Sequence, residues 1–307
     1  MSDHPTRARS AKAEDGRRRE RTRPPAPEPL PVDVVDAHCH LDIADHDADD
    51  AWAVEHAVAA AAQVGVTRIV QIGCDLPGAR WAVQAARQHR SIVAGVAIHP
   101  NEAPRLAAAG ELDAALDEIE SLAADPVVRV VGETGLDTFR TAPDGMAAQR
   151  DSFGWHVDLA KRLDRTLVIH DRDAHEAVLD VLDDVGAPDR VVLHCFSGDV
   201  IFARACLDRG FWLSFAGTVT FKNAPALREA LAIAPMDRIL VETDAPFLAP
   251  TPYRGRPNAS YLMPVTVRAM ADVRAADLVE LCAALSANTD AAFGGPWPTA
   301  SAGVLRA

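Results

Sequence analysis

Disulfide chemistry is the first thing this sequence argues against. Its 307 residues include five cysteines, Cys39, Cys74, Cys195, Cys206 and Cys282. The number is odd, the spacing is wide and no CxxC pair occurs. That excludes a disulfide framework or a zinc ribbon and fits a reducing, cytoplasmic setting. No apolar run is long and uncharged enough to span a bilayer, so no membrane partner is expected. Beyond residue 30 the only lysines are Lys161 and Lys222. No G-x-S-x-G or P-loop occurs, and no GxGxxG follows the first strand-like segment. These absences remove the usual serine-hydrolase, NTPase and dinucleotide-binding readings.

The first thirty residues differ from the rest. They are rich in Arg, Pro and Glu and carry little to bury, so residues 1–30 read as a disordered basic tail. No apolar stretch follows GRRRERTR, so it is not read as a twin-arginine export signal. The tail holds eight Lys/Arg against five Asp/Glu, which leaves −16 on the remainder of a chain whose formal charge is −13. A body that acidic is a poor non-specific binder of nucleic acid. A phosphate-bearing substrate must be held locally, by metal ions and a few arginines. The 49% hydrophobic content suffices for a sizeable core, and residues 31–307 fit one α/β barrel. Nothing implies an obligate protein partner.

From residue 32 the chain alternates between short apolar runs and helix-like stretches. The runs fall near 32–38, 67–73, 91–98, 127–132, 166–170, 190–194, 211–216 and 238–243. Helix-like segments lie between them, near 51–65, 78–89, 111–124, 146–163, 174–186, 199–210 and 224–235, with a helical tail over 261–293. Near-continuous apolar strands alternating with helices indicate a parallel sheet covered on both faces. Eight such units predict a closed (β/α)8 barrel, a TIM barrel, with chemistry at the strands' C-terminal ends.

Those ends carry a pattern. The first gives DAHCHLD, in which alternation turns His38 and His40 to one side and Cys39 to the other. Two neutral imidazoles on one face can grip a divalent metal. Later strands end in His99, Glu133, His170, His194 and Asp244. The remaining histidines, His4, His46, His56, His89, His156 and His175, are assigned to solvent or ordinary packing. Four histidines (His38, His40, His170, His194), Glu133 and Asp244 thus converge on one rim. Six ligands are too many for one tetrahedral zinc with an open position. They suit two divalent cations sharing a carboxylate. Mixed His/carboxylate sites accept Mg, Mn, Zn or Co.

The segments DAHCHLD, GVAIHP, VVGETGLD, VIHDRDA, VLHCFSG, GTVTFKNAPALR and VETDAPFLAPTPYRGRPN resemble, in order and spacing, the TatD family of metal-dependent hydrolases over about residues 33–293. The resemblance implies a TIM barrel and a metal-dependent deoxyribonuclease, some members being 3′→5′ exonucleases. It implies that His38, His40, Glu133 and Asp244 hold one metal, and that Glu133, His170 and His194 hold the second. The basic tail and the lysine-poor, acidic body depart from the pattern.

Phosphodiester hydrolysis needs an activated water and neutralisation of phosphoryl charge, which two metals supply. Asp244 is the candidate general base, with Glu133 the bridge. Strand parity puts Asp36 and Glu242 one layer below, where they would accept the outer N–H of ligating histidines. His99, Arg172, Lys222 and Arg254 are candidate substrate contacts, with Arg256, Arg140, Asn101 and Asn258 behind them. Cys195 is read as turned into the core. Three rivals remain at this stage. One is an amidohydrolase-type C–N or ester hydrolase, which often bridges its metals with a modified lysine where Glu133 stands. The others are a small-molecule phosphodiesterase and a binding protein on a relict barrel.

Overall fold

A computed structural model describes residues 7–8, 20–44 and 52–300. Eight parallel strands run in the order β2 (Val34–Cys39), β4 (Val66–Gly73), β5 (Ile92–Val96), β6 (Val128–Asp137), β7 (Thr166–Arg172), β8 (Val191–Leu193), β9 (Trp212–Phe215) and β10 (Ile239–Val241). Each pairs in parallel with the next. Helices α1 (Val54–Ala62), α2 (Leu76–Gln88), α4 (Leu112–Ala123), α5 (Met146–Leu163), α6 (His175–Val185), α7 (Val200–Asp208) and α8 (Pro225–Ile233) fill the connections. Helices α9 (Met263–Arg274) and α10 (Leu278–Ala292) complete the set, and α3 (Ala103–Ala109) is an addition that the apolar pattern did not announce. This is the expected TIM barrel. Among the described residues no helix is long and apolar enough to cross a membrane.

β-branched alternation explains the layers. Val35, Val70, Ile72, Val93, Val130, Val168, Val192, Trp212 and Leu240 come from all eight strands and pack together as the barrel interior. Their neighbours Val34, Ile69, Ile92, Val131, Ile169, Leu193, Leu213 and Ile239 face the helices in the larger core. At the strands' N-terminal end the C-terminal segment forms a plug of Phe293 and Trp297. Trp297 Nε1 donates to Ser91 O at 2.9 Å, and Arg129 Nη1 donates to the carbonyls of Phe293 (3.2 Å) and Gly295.

The barrel closes at its mouth. No ladder joins β10 to β2, but Asp244 N–H donates to His38 O at 3.0 Å and His40 N–H donates to Ala245 O at 2.7 Å. Three of the candidate ligands therefore sit on the hydrogen bonds that close the seam. Asp36 latches the same seam from below: Thr243 Oγ1 donates to its Oδ2 at 2.6 Å and Thr243 N–H to its Oδ1 at 3.0 Å. Burial raises the Asp36 carboxyl to about 7 against these hydrogen bonds.

The tail needs correcting where it is described. Residues 20–30, read as disordered, run along the barrel. Leu30 is buried and its N–H donates to Val64 O at 3.0 Å. Tyr261 Oη donates to Pro24 O at 2.7 Å, Arg268 Nη2 to Glu28 O and Pro29 O, and Arg256 to Thr22 O and Arg23 O. An extended, proline-rich segment leaves its carbonyls unpaired, and donors from far along the chain satisfy them. Composition does not reveal such partners. Farther forward, Arg7–Ala8 (β1) pairs with Ile43–Ala44 (β3), and Arg7 binds Asp42 and, at 2.6 Å, Asp75. The rest of the expected tail, with His4 and His46, lies outside the described residues.

Candidate metal centre

The six expected ligands meet at the barrel mouth. His38 lies on β2 and His40 just beyond it, with Cys39 packed against the helices. Glu133 and His170 lie on β6 and β7; His194 follows β8 and Asp244 follows β10. His38 Nε2 and His40 Nε2 are 3.3 Å apart, and Asp244 Oδ1 is 3.2 Å from His40 Nε2 and 3.9 Å from His38 Nε2. Glu133 Oε1 and Oε2 lie 3.8 Å and 4.0 Å from the same two nitrogens. On its other flank Glu133 Oε2 is 2.6 Å from His194 Nε2 and 3.4 Å from His170 Nδ1. Ligand bonds of about 2.0–2.2 Å require two donors of one ion to lie within about 4.4 Å. The distances above all satisfy this, and Glu133 takes part on both flanks.

Three of the rings also have a partner on the nitrogen that faces away from the centre. His40 Nδ1 donates to Ile72 O at 3.0 Å, because a carbonyl can only accept. His194 Nδ1 faces Glu242 Oε1 at 3.3 Å, and His170 Nε2 faces Asp137 Oδ2 at 3.3 Å. When each outer partner takes the ring N–H, the other nitrogen offers its lone pair to a cation beside Glu133 and Asp244. The residues fit divalent-cation binding.

Proximity alone also groups His99 with Glu133 and His170. The hydrogen bonding separates them. Asn101 N–H donates to His99 Nδ1 at 3.0 Å, so the proton sits on His99 Nε2, which points at Glu133 Oε1 from 3.8 Å. His99 therefore presents an N–H to the mouth, suited to an anionic oxygen rather than to a metal.

The field at the centre attracts positive charge. Burial alone would raise the Glu133 carboxyl, but His194, His99 and His170 hold it well below the usual range. Burial would lower His194, yet Glu133 and Glu242 hold it well above. Against burial, Asp244 and Glu133 raise His40 to about 9, whereas burial wins at His99 and lowers it to about 3. A site that favours imidazolium this strongly also favours a cation.

Sequence reasoning placed some neighbours wrongly. Glu242 touches His194 as expected. Asp36 reaches no histidine ring; it accepts the His38 backbone N–H at 3.3 Å and latches Thr243. The register shifts between Asp36 and Cys39, so strict alternation does not carry across β2. Cys195 lies beyond the end of β8 with φ +44°, where strand parity no longer applies. Its N–H donates to Glu242 Oε1 at 2.7 Å, and burial, then Asp244 and Glu242, push its thiol well up. Arg172 lies 4.1 Å over the Phe139 ring and Arg254 4.1 Å over Phe221, both at the rim; Lys222 is exposed, as is Arg140. Arg256 fastens the N-terminal arm.

Two neighbours were missed. Asp137 shares a face of β6 with Glu133, so parity alone would have found it. It accepts from His170, from Asn101 Nδ2 at 3.0 Å and from two backbone N–H groups. Cys74 stands just past β4, one of two strand ends whose terminal residues were not weighed. Its Sγ is 3.0 Å from Glu133 Oε1, and burial followed by Glu133 raises the thiol.

Comparison with known proteins places the chain in a family. A family model described as TatD related DNase matches residues 35–294. A Mycobacterium tuberculosis protein named an uncharacterized metal-dependent hydrolase TatD is 46% identical over 268 residues, covering 86% of this chain and 99% of its own. The Escherichia coli metal-dependent hydrolase YcfH is 36% identical over 243 residues, 79% of this chain and 87% of its own. Among solved structures, the TatD homologue YJJV of Escherichia coli superposes with TM-score 0.76 at 27% identity, covering 86% of this chain and 98% of that one.

Proposed function

The chain belongs to the TatD family of metal-dependent hydrolases, and on that premise we propose that it hydrolyses phosphodiesters, in the first instance DNA, with two divalent cations per chain. Exonucleolytic 3′→5′ digestion is the finer form of this reading. One observation carries it: Glu133 lies between two donor groups, within 4.0 Å of His38 and His40 on one flank and of His170 and His194 on the other. His38, His40, Glu133 and Asp244 would hold one cation; Glu133, His170 and His194 would hold the other. Bound there, two cations supply charge neutralisation at a phosphate and a water acidic enough to attack at neutral pH.

The protein's own groups do the rest. Asp244 Oδ1, at the seam and 3.2 Å from His40 Nε2, accepts the proton of the attacking water. His99 donates its Nε2–H to a phosphate oxygen. Asp137 and Glu242 hold His170 and His194 in the tautomers that point lone pairs inward. Arg172, two residues beyond His170, contacts the flanking strand together with Lys222 and Arg254. A local cation set of this size suits an acidic body, which offers a polyanion little long-range attraction.

Hydrolysis of a single-stranded oligodeoxynucleotide and of bis-p-nitrophenyl phosphate, measured with Mg, Mn, Zn and Co in turn, tests the proposal. Activity on both, abolished by chelator, is the expected result. Turnover confined to amide or carboxylate-ester substrates would move the protein to the C–N and ester hydrolases of the same barrel class. Activity on the small diester alone would make it a small-molecule phosphodiesterase.

A further inference from the structure

The N-terminal arm forms one wall of a cleft that opens beside the metal centre. The cleft is shallow and open to solvent, and His40, Ala245 and Pro246 are among its lining residues. His40 is one of the six converging donors and Ala245 directly follows another. A substrate held at the centre therefore has this cleft as adjoining space. Its outer walls include Leu41, Ile43 and Trp52. The Arg23 guanidinium lies 4.2 Å over the Trp52 ring, and Trp52 stacks in turn on His56 with centroids 4.4 Å apart. The backbone around Arg23 is pinned, with Arg256 Nη2 donating to Arg23 O at 3.1 Å and Tyr261 Oη to Pro24 O. Asn258, only 3% exposed, completes the lining. Its Nδ2 donates to Thr243 O and Phe247 O, which leaves Oδ1 buried with no hydrogen-bond partner among the described residues.

We infer that this cleft is a nucleobase subsite for the nucleotide next to the scissile phosphate. The stacked Arg23–Trp52 pair is its platform, and Asn258 Oδ1 is an acceptor for a base N–H. The inference rests on the phosphodiester reading and adds to it a recognition element supplied by the N-terminal arm. A planar heterocycle suits mostly apolar walls, and bases stack on aromatic and guanidinium planes alike. A second phosphate is a poorer occupant, because the walls are apolar and the unpartnered Asn258 atom is itself an acceptor. Stacking of one base is worth about 5- to 150-fold in affinity.

Isothermal titration tests this on the full-length protein equilibrated with Mn²⁺. The two probes are deoxyadenosine 5′-monophosphate and deoxyribose 5-phosphate, which share the sugar phosphate and differ only in the base. The nucleotide should bind about tenfold more tightly or better. In Arg23→Ala that ratio should fall to about 1–2, and Arg23→Lys, which keeps the charge but loses the plane, should also lower it. Trp52→Ala should match Arg23→Ala. Should Trp52→Ala fail to fold, the Arg23 variants decide, because Arg256 and Tyr261 hold the arm through the Arg23 and Pro24 carbonyls. A ratio near one in the wild type, or an unchanged ratio in Arg23→Ala, overturns the subsite. Hydrolysis of bis-p-nitrophenyl phosphate judges the underlying reading separately. Hydrolysis without a base increment rejects the cleft alone. A base increment without hydrolysis rejects the phosphodiesterase and leaves a nucleotide-binding cleft.

Discussion

The two ends of the barrel are made from the same eight strands and are built in opposite ways. At the N-terminal end Val35, Val130 and Val168 give way to the aromatic plug of Phe293 and Trp297, stitched down by Arg129 and Trp297 through backbone carbonyls. There Thr166 Oγ1 also donates to Ala292 O at 2.6 Å, so polar groups of the strands hold the plug in place. At the C-terminal end the interior turns from valine to His170, His194 and Glu242 within one or two residues of each strand. Buried carboxylates there face imidazoles, Glu133 Oε2 lying 2.6 Å from His194 Nε2 and Asp244 Oδ1 3.2 Å from His40 Nε2. One end lowers the free energy of the fold. The other holds charge in a form that only a cation or a substrate completes, and the apolar end offsets its cost.

Removing the metals should produce the largest effect. Chelator should take hydrolysis to background while the fold persists, because the apolar end does not depend on the ions. Circular dichroism beside an activity assay checks this, and loss of the fold together with activity would erase the contrast between the ends. Asp244→Asn comes next. It keeps an oxygen toward the centre but cannot take a proton, so kcat should fall about 10²–10⁴-fold with oligonucleotide affinity largely kept. A near wild-type kcat at matched metal occupancy would reduce Asp244 to a closer of the seam. Asp137→Asn and Glu242→Gln act one step out. Each should weaken metal affinity by about 10- to 100-fold through the histidine it orients, as read by competition with a chromogenic chelator. At the opposite end, Phe293→Ala removes a fully buried ring. It should cost about 3–5 kcal/mol of stability, seen as a lower Tm, with metal affinity unchanged; a change in metal affinity would mean that the ends are coupled. Rim changes should be smallest. Arg254→Ala should raise KM for an oligonucleotide a fewfold, and a drop in kcat instead would bring Arg254 into the chemistry.

How legible each feature was depends on what fixes it. Strands and helices follow from local periodicity, and the helix expected at 146–163 occurs as Met146–Leu163. The six converging donors were legible because a barrel brings strand ends together whatever the loops do. Legibility fails where the backbone departs from regular alternation. Asp36 was misassigned across a register shift, and Cys195 because β8 ends two residues earlier. It fails again where a contact joins distant segments. Pro24 meets Tyr261 and Arg23 meets Arg256, each more than 230 positions away. No pattern near residue 23 announces those donors, so a segment that composition marks as loose becomes a wall of the mouth. Asp137 and Cys74 were legible and were passed over. Each obeys the same strand-end and parity rules that found Glu133 and His38.

The central claim is that one carboxylate serves two cation sites, and counting metals against ligand deletions tests it most directly. Protein stripped of metal would be titrated with Mn²⁺ or Co²⁺ and the bound ions counted in wild type, His194→Ala and Glu133→Ala. The account predicts two ions per chain in the wild type. It predicts one retained in His194→Ala, and a marked loss from both sites in Glu133→Ala. Equal occupancy in the Glu133 variant, or a single ion in a fully active wild type, would contradict it.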